Sequence, residues 1–121
     1  MASAVGSATA LAATFVYVSN AGDGDIGVYR MLDSGELQPG ARAKAASVVM
    51  PMAVSPDRRF LYVASRNKPY RVHVYSIDRG TGELAPLSTS PLAESFPYIS
   101  LDKTGRYLFA ASYASHLISV N

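Results

Sequence analysis

Short apolar segments separated by turn residues recur along the chain from residue 15 onward. They are four to eight residues long, are rich in Val, Ile, Tyr and Phe, and are bounded by turns such as Ser55-Pro56-Asp57. This pattern predicts β-strands, because short runs of β-branched and aromatic residues between turn residues are typical of strands. We expect an all-β chain, with strands near 15–20, 26–32, 36–45, 50–55, 60–65, 71–78, 83–90, 97–101, 107–112 and 116–121.

The segments also repeat. Phe15–Ser19 resembles Phe60–Ser65 and Tyr107–Ser112 at offsets of 45 and 47 residues, and Ile26–Tyr29 resembles Val72–Tyr75 at an offset of 46. A period near 46 residues with four short antiparallel strands per unit is typical of a β-propeller blade. Paired-helix repeats can have a similar period, but the chain's 7 Pro and 9 Gly leave no room for long helices.

The length of the chain limits how much of a propeller it can form. Even the smallest propeller needs roughly 160 residues, so 121 residues cannot close a ring. We interpret residues 1–14 as a flexible extension, with a degenerate secretory leader as the alternative, and residues 15–121 as a partial propeller with units 15–49, 50–94 and 95–121. Blade faces left uncovered in this way predict self-association.

Composition removes several classes of function. The absence of Cys excludes disulfide scaffolds and thiolate chemistry, and two His are too few for a metal cage. The net charge of +2 comes from scattered residues, which favours a solvated surface over a nucleic-acid site. No apolar run approaches the roughly 20 residues of a membrane span. We expect no metal, no nucleic-acid partner and no membrane partner.

The run from Pro51 to Val63, followed by Arg66, Arg71-Val72, Ile99–Asp102 and Ser112-Tyr113, resembles the bacterial 6-phosphogluconolactonases. These are seven-bladed lactonase propellers related to the carboxymuconate cyclases. The resemblance covers about residues 15–121, corresponding to the first third of a family member. It implies about two and a third blades of a seven-bladed propeller, each complete blade a four-stranded antiparallel sheet.

The same resemblance implies a cytoplasmic enzyme that hydrolyses the lactone ester of the pentose phosphate pathway and needs no cofactor. The His, Arg and Glu proposed to act in the related cyclases fall in later blades, so no catalytic residue is carried over to this chain. We expect the chain by itself to be inactive. The alternative is a non-catalytic β-repeat module that binds a protein partner or self-assembles to complete a propeller.

Blade topology predicts which loops share a rim. The turns at 55–59 and 78–82 belong to one rim, and the loops at 20–25, 66–70 and 113–116 belong to the other, together with the crossovers at 48–51 and 94–97. Ligands of propellers generally bind over the central channel. We therefore expect the substrate, a sugar lactone or phosphate ester, at this second rim.

Four residues of that rim are candidate ligands for the substrate. Arg66 matches an Arg of the family pattern, and its guanidinium could bind a phosphate or tie adjacent loops together through carbonyls. Lys68 could add positive potential. Tyr113 could donate to a lactone oxygen or anchor its loop by burial, and His116 could be a general base or a structural rim histidine.

Other polar residues have simpler interpretations. Asp57 and Asp102 recur at equivalent turns, where a carboxylate that accepts backbone N–H groups is a sufficient explanation. Asp23 and Asp25 fit a Gly-Asp turn, since the full ligand pattern of a calcium loop is missing. His73 alternates with apolar residues in a strand and is expected on the blade surface.

Overall fold

The computed structural model describes residues 13–121, which form ten β-strands in three antiparallel sheets. Sheet 1 has the strand order β1-β2-β3, sheet 2 has β4-β5-β6-β7 and sheet 3 has β8-β9-β10. The strands are β1 Thr14–Asn20, β2 Asp25–Met31, β3 Leu37–Lys44, β4 Val49–Val54, β5 Phe60–Ser65, β6 Arg71–Ile77, β7 Leu84–Pro91, β8 Tyr98–Leu101, β9 Leu108–Ser112 and β10 Leu117–Val120. The predicted all-β class is confirmed. Of the predicted extension, residues 1–12 lie outside the described residues.

Asp side chains stabilise the turns that connect the first two strands of a blade. Asp57 Oδ1 accepts the Ser55 hydroxyl at 2.6 Å and the Arg59 N–H at 3.1 Å. In sheet 3, Asp102 Oδ1 accepts the N–H groups of Arg106 and Tyr107 at 2.9 and 3.1 Å. These bonds confirm that both carboxylates cap turns, which explains why Asp recurs at this turn in units 50–94 and 95–121.

Two cores lie between the sheets. The first joins sheets 1 and 2 and contains Ile26, Val49, Leu61, Val63 and Tyr75. The second joins sheets 2 and 3 and contains Ala64, Val72, Leu92, Phe96, Ile99, Leu108 and Ala110. Sheet 2 is therefore covered on both faces, whereas sheets 1 and 3 each have one covered face. β4 contacts both β1 and β8, as the innermost strand of a blade does.

Tyrosine hydroxyls tie sheet 1 to sheet 2 at the edges of the first core. The Tyr17 hydroxyl donates to the Gly82 carbonyl at 2.7 Å, and the Tyr75 hydroxyl donates to the Lys44 carbonyl at 2.8 Å. Burial raises the pKa of both phenols. Each ring thus fills apolar space while its polar end is satisfied by a main-chain acceptor.

The position of the His73 side chain differs from the one predicted from the sequence. Val63 lies directly opposite it in β5, so both side chains are on the face of sheet 2 that turns toward sheet 1. The Nε2 atom of His73 is buried and has no hydrogen-bond partner among residues 13–121. Burial, with a smaller contribution from the charge of Arg71, lowers the pKa of His73. The prediction of a blade-surface histidine is wrong, because an inter-sheet face has the same alternation as a solvated one.

Candidate ligand-binding rim

Backbone hydrogen bonds gather the predicted ligand loops at one end of the sheets. The Val48 N–H, in the crossover from sheet 1 to sheet 2, donates to the Ala21 carbonyl at 3.3 Å, and the Val48 carbonyl accepts the Arg66 N–H at 3.0 Å. In the next crossover, the Leu92 N–H donates to the Tyr70 carbonyl at 2.9 Å. The β1–β2 loop therefore meets the first crossover, and the β5–β6 loop meets both, at one rim, which we call the ligand rim.

Arg66 occupies a central position on the ligand rim. It follows β5 directly, is half-buried, and its side chain links the start of β4 to the crossover from sheet 2 to sheet 3. Nε donates to Ser95 Oγ at 3.2 Å, and Nη1 donates to Met50 Sδ at 3.6 Å. The loop-tying role expected for Arg66 is thus observed, but through side chains and not through carbonyls.

No carboxylate in the described part of the chain forms an ion pair with Arg66. Within residues 13–121, the ion pairs shorter than 4.0 Å are those of Arg42 with Asp23 and Asp25. The nearby Glu94 carboxylate instead accepts the Ser95 N–H at 2.7 Å. Within residues 13–121, Arg66 thus makes side-chain hydrogen bonds through Nε and Nη1 and makes none through Nη2.

Lys68 and Arg71 are placed differently. Lys68 is exposed in the β5–β6 loop and makes no side-chain hydrogen bond within the described part of the chain. Arg71 begins β6, and its Nη1 donates to Thr89 Oγ1 of β7, the outermost strand of sheet 2, at 3.4 Å. Arg71 is therefore directed toward β7. Lys68, in the same loop as Arg66, has no ion-pair partner among residues 13–121.

The β9–β10 turn carries the other two candidates. Tyr113 is 78% exposed, so the alternative in which it anchors its loop by burial is wrong. His116 is also exposed and has a φ of +53°, a left-handed conformation that side chains other than glycine rarely adopt. Neither side chain has a hydrogen-bond partner among residues 13–121, and no orienting carboxylate contacts His116 there.

The Asp23–Asp25 turn is held by a residue that the sequence did not reveal. Arg42 Nη2 contacts Asp25 Oδ1 at 2.9 Å and Asp23 Oδ2 at 3.2 Å, and Asn20 Nδ2 donates to Asp25 Oδ1 at 2.8 Å. The charge of Asp25 is the main cause that raises the pKa of Arg42. Arg42 lies 17 residues from Asp25, on β3, and only the β2–β3 register brings them together.

Between residues 13 and 121 no group of three or more His, Cys, Asp or Glu side chains is placed to hold a metal ion. The same stretch contains no helix that is long and apolar enough to span a membrane.

The chain is similar to known proteins over most of its length. The 6-phosphogluconolactonase of Cronobacter sakazakii is 39% identical over 105 residues, which cover 87% of this chain and 31% of that protein. The 6-phosphogluconolactonase of Serratia proteamaculans is 38% identical over 106 residues, covering 88% of this chain and 31% of that protein. This chain thus spans about a third of the length of the curated relatives that it matches.

Solved structures give the same picture. The periplasmic gluconolactonase of Pseudomonas aeruginosa superposes with a TM-score of 0.72 at 28% identity, over 90% of this chain and 34% of that one. A crystal structure from Bacteroides fragilis superposes with a TM-score of 0.80, over 88% of this chain and 31% of that one. At 24% identity, the second likeness shows the fold alone.

A model of one protein family matches almost the whole chain. Its description is "Lactonase, 7-bladed beta-propeller", and it matches residues 5–121. The match confirms the family and the partial-propeller fold predicted from the repeats and from the Pro51–Val63 run. The three sheets are consecutive blades, and the chain belongs to the seven-bladed β-propeller lactonase family.

Proposed function

We propose that this chain supplies part of the substrate site of an enzyme that hydrolyses a phosphorylated sugar lactone, and that Arg66 binds the substrate's phosphate. Lys68, Tyr113 and His116 complete the contribution of this chain to the site. The substrate class is taken from the relatives named 6-phosphogluconolactonase, which match at 39% and 38% identity. The chain corresponds to about a third of those proteins, so the complete activity requires further blades.

The observation that carries this proposal is that the Arg66 guanidinium is held in place by side chains and forms no ion pair within residues 13–121. Ser95 Oγ and Met50 Sδ fix the direction of the side chain without neutralising it. A guanidinium held in this way loses little further entropy when it binds an anion, and its planar N–H groups match two phosphate oxygens. Lys68 adds a second positive charge in the same loop.

Hydrolysis needs more than this chain provides. Water must add to the lactone carbonyl, a base must take its proton, and a donor must stabilise the oxyanion before the ring oxygen leaves. On the described part of the rim, His116 has no carboxylate to orient it, and the Glu94 carboxylate already accepts the Ser95 N–H. We therefore expect the isolated chain to bind a phosphorylated ligand without turning it over.

Binding can be tested with the hydrolysis product, 6-phosphogluconate. In a two-dimensional ¹H–¹⁵N NMR titration, we expect shifts of the amides of Arg66, Ser95 and Met50 that saturate with the phosphorylated acid and are much smaller with gluconate. Arg66→Ala should weaken binding by 1.5–3 kcal/mol, roughly tenfold or more, because a charge-assisted contact is lost. Arg71→Ala is the matched control, since Arg71 is directed toward β7, and it should leave the affinity unchanged.

Two outcomes would contradict the proposal. Equal shifts with gluconate and 6-phosphogluconate would remove the phosphate contact, and an unchanged affinity in Arg66→Ala would remove Arg66 from it. In a separate assay, we expect 6-phosphogluconolactone to hydrolyse at the buffer rate in the presence of this chain. Hydrolysis above that rate would show that the catalytic groups are already present in it.

We place the activity in the cytoplasm and in the pentose phosphate pathway, where the lactone of 6-phosphogluconate is hydrolysed. The Pseudomonas aeruginosa gluconolactonase that resembles this chain is periplasmic by name, so a related fold also occurs in the periplasm. Fractionation of cells that produce the protein under its native promoter tests the assignment, and recovery in a periplasmic extract would overturn it.

A further inference from the structure

A bulge in β4 places Met50 on the ligand rim. The register of β4 against β5 shifts between Val49 and Met52, so β4 has one extra residue there. Such a bulge changes the alternation of side chains along a strand. Val49 and Met52, three positions apart, consequently both pack in the core between sheets 1 and 2. Met50 between them is 45% exposed.

The sulfur of Met50 lies beside the guanidinium of Arg66. Its Sδ accepts an N–H of Arg66 Nη1 at 3.6 Å, while Arg66 Nε donates to Ser95 Oγ at 3.2 Å. Since Nε is engaged, the pair of nitrogens that remains for a bidentate phosphate is Nη1 and Nη2. Met50 is therefore adjacent to the N–H groups on which phosphate binding by Arg66 would depend.

Met50 differs from the other methionines of the described residues. Met31, at the end of β2, is 40% exposed, and Met52 is partly buried in the first core. Among residues 13–121, the hydrogen bond to a methionine sulfur is the one from Arg66 to Met50. Met50 also belongs to sheet 2, which has a blade on each side. Within the described part of the chain, exposure and contact with a cation thus combine at Met50.

We propose that Met50 is an oxidation site that controls anion binding by Arg66, an inference that rests on the proposed function. A hydroperoxide transfers one oxygen atom to Sδ and forms the sulfoxide. The O–O bond breaks, an S–O bond forms, and the proton of the transferred oxygen moves to the departing one. Sulfur loses two electrons, and the hydroperoxide is reduced to water or an alcohol.

Oxidation replaces a weak acceptor beside Arg66 by a strong one. A thioether sulfur accepts hydrogen bonds weakly, whereas a sulfoxide is polar and its oxygen carries partial negative charge. That oxygen can accept the Nη1 N–H in a charge-assisted hydrogen bond. The guanidinium is then held toward β4, with the negative end of the S–O dipole beside the nitrogens that a phosphate would contact. Methionine sulfoxide reductases restore the thioether, so the control is reversible.

Titration with 6-phosphogluconate before and after oxidation tests the inference. The dose of hydrogen peroxide is set by peptide mass spectrometry so that Met50 is oxidised and Met52 is not. We expect oxidation to weaken binding to the wild type about fivefold or more, and reductases of both stereospecificities to restore it. Met31→Leu is the matched control and should respond like the wild type. In Met50→Leu, oxidation should leave the affinity at that variant's own starting value.

The Arg66 side chain provides a readout that needs no ligand. Its Nε–H signal in a ¹H–¹⁵N NMR spectrum should shift when the wild type is oxidised, return after reduction, and stay constant in Met50→Leu. Met50→Gln places an amide oxygen near the position of the sulfoxide oxygen. It should bind 6-phosphogluconate less tightly than Met50→Leu without any oxidant, with circular dichroism showing that both variants are folded.

The other outcomes overturn the inference. An affinity that is equal before and after oxidation, or that falls equally in Met50→Leu, would remove Met50 from control of the site and leave the phosphate proposal intact. Oxidation of Met52 before Met50 would contradict the assigned exposure. An unoxidised chain that binds no 6-phosphogluconate would overturn the proposed function itself, and this inference with it.

Discussion

Gly35 and Gly82 occupy the same place in consecutive blades, yet their surroundings differ completely. Both precede Glu-Leu, and both have a positive φ, +86° and +75°. A Cβ on Gly82 would lie 2.5 Å from the ring of Phe15 in sheet 1, whereas a Cβ on Gly35 would meet nothing within 4 Å. The repeat thus determines the turn, and the neighbouring blade determines how tightly the turn is packed.

The same contrast separates two aromatic residues of sheet 3 and its crossover. Phe96 is 0% exposed, between sheets 2 and 3, and Phe109 is 40% exposed on the face of sheet 3 that turns away from sheet 2. Their chemistry is identical, so a difference in their contribution to stability measures the effect of a covering blade.

The largest effect is expected for Phe96→Ala. Loss of a fully buried ring should lower the free energy of unfolding by about 3–5 kcal/mol, because apolar burial is lost and a cavity remains. Phe109→Ala is the matched control and should cost less than about 2 kcal/mol, since part of its ring is already solvated. Urea unfolding followed by far-UV circular dichroism at low protein concentration gives both values. Equal losses would contradict the assigned cores.

Gly82→Ala should come next. Alanine at this φ costs about 1 kcal/mol in backbone strain, and the clash with Phe15 adds about 1–3 kcal/mol. Gly35→Ala should show the backbone cost alone. The difference between the two variants isolates the packing of sheet 1 on sheet 2, and it should shrink in a Phe15→Ala background. A difference that persists without the Phe15 ring would assign it to another cause.

The smallest effect is a pH dependence from His73. Burial lowers its pKa below the usual value near 6.5, so the unfolded chain binds the proton more readily than the folded chain. Stability should therefore fall as the pH drops below about 6.5 toward the pKa of the folded state, and should be insensitive to this group at higher pH. Melting temperatures of the wild type and His73→Gln between pH 7.5 and 5 test this. The exposed His116→Gln variant is the control, and a slope removed by His116→Gln but not by His73→Gln would contradict the assignment.

The sequence predicted the features that depend on local order. Short β-rich segments and the offsets near 46 residues located the blades, and the recurrence of Asp57 and Asp102 identified the capped turns. Strand composition and turn chemistry depend on residues close together in sequence, and the repeat shows that they recur in each unit.

Features that depend on distant neighbours could not be read in this way. Arg66 was predicted as a rim residue, but its partner Ser95 lies in the crossover to sheet 3 and its partner Met50 lies in β4, and no periodicity of the sequence reveals such contacts. The Arg42 ion pair depends on the β2–β3 register. The exposure of Tyr113 and the burial of His73 both depend on which faces a neighbouring blade covers.

Native-state hydrogen exchange tests the central claim, that a blade's stability in this chain depends on how many of its faces are covered. The experiment is performed at a concentration where the chain is monomeric. We predict the slowest exchange in β5 and β6 of sheet 2, and opening of β1 and β10 at a substantially lower free energy. Equal protection in all three sheets, or the slowest exchange in β9 and β10, would contradict the account.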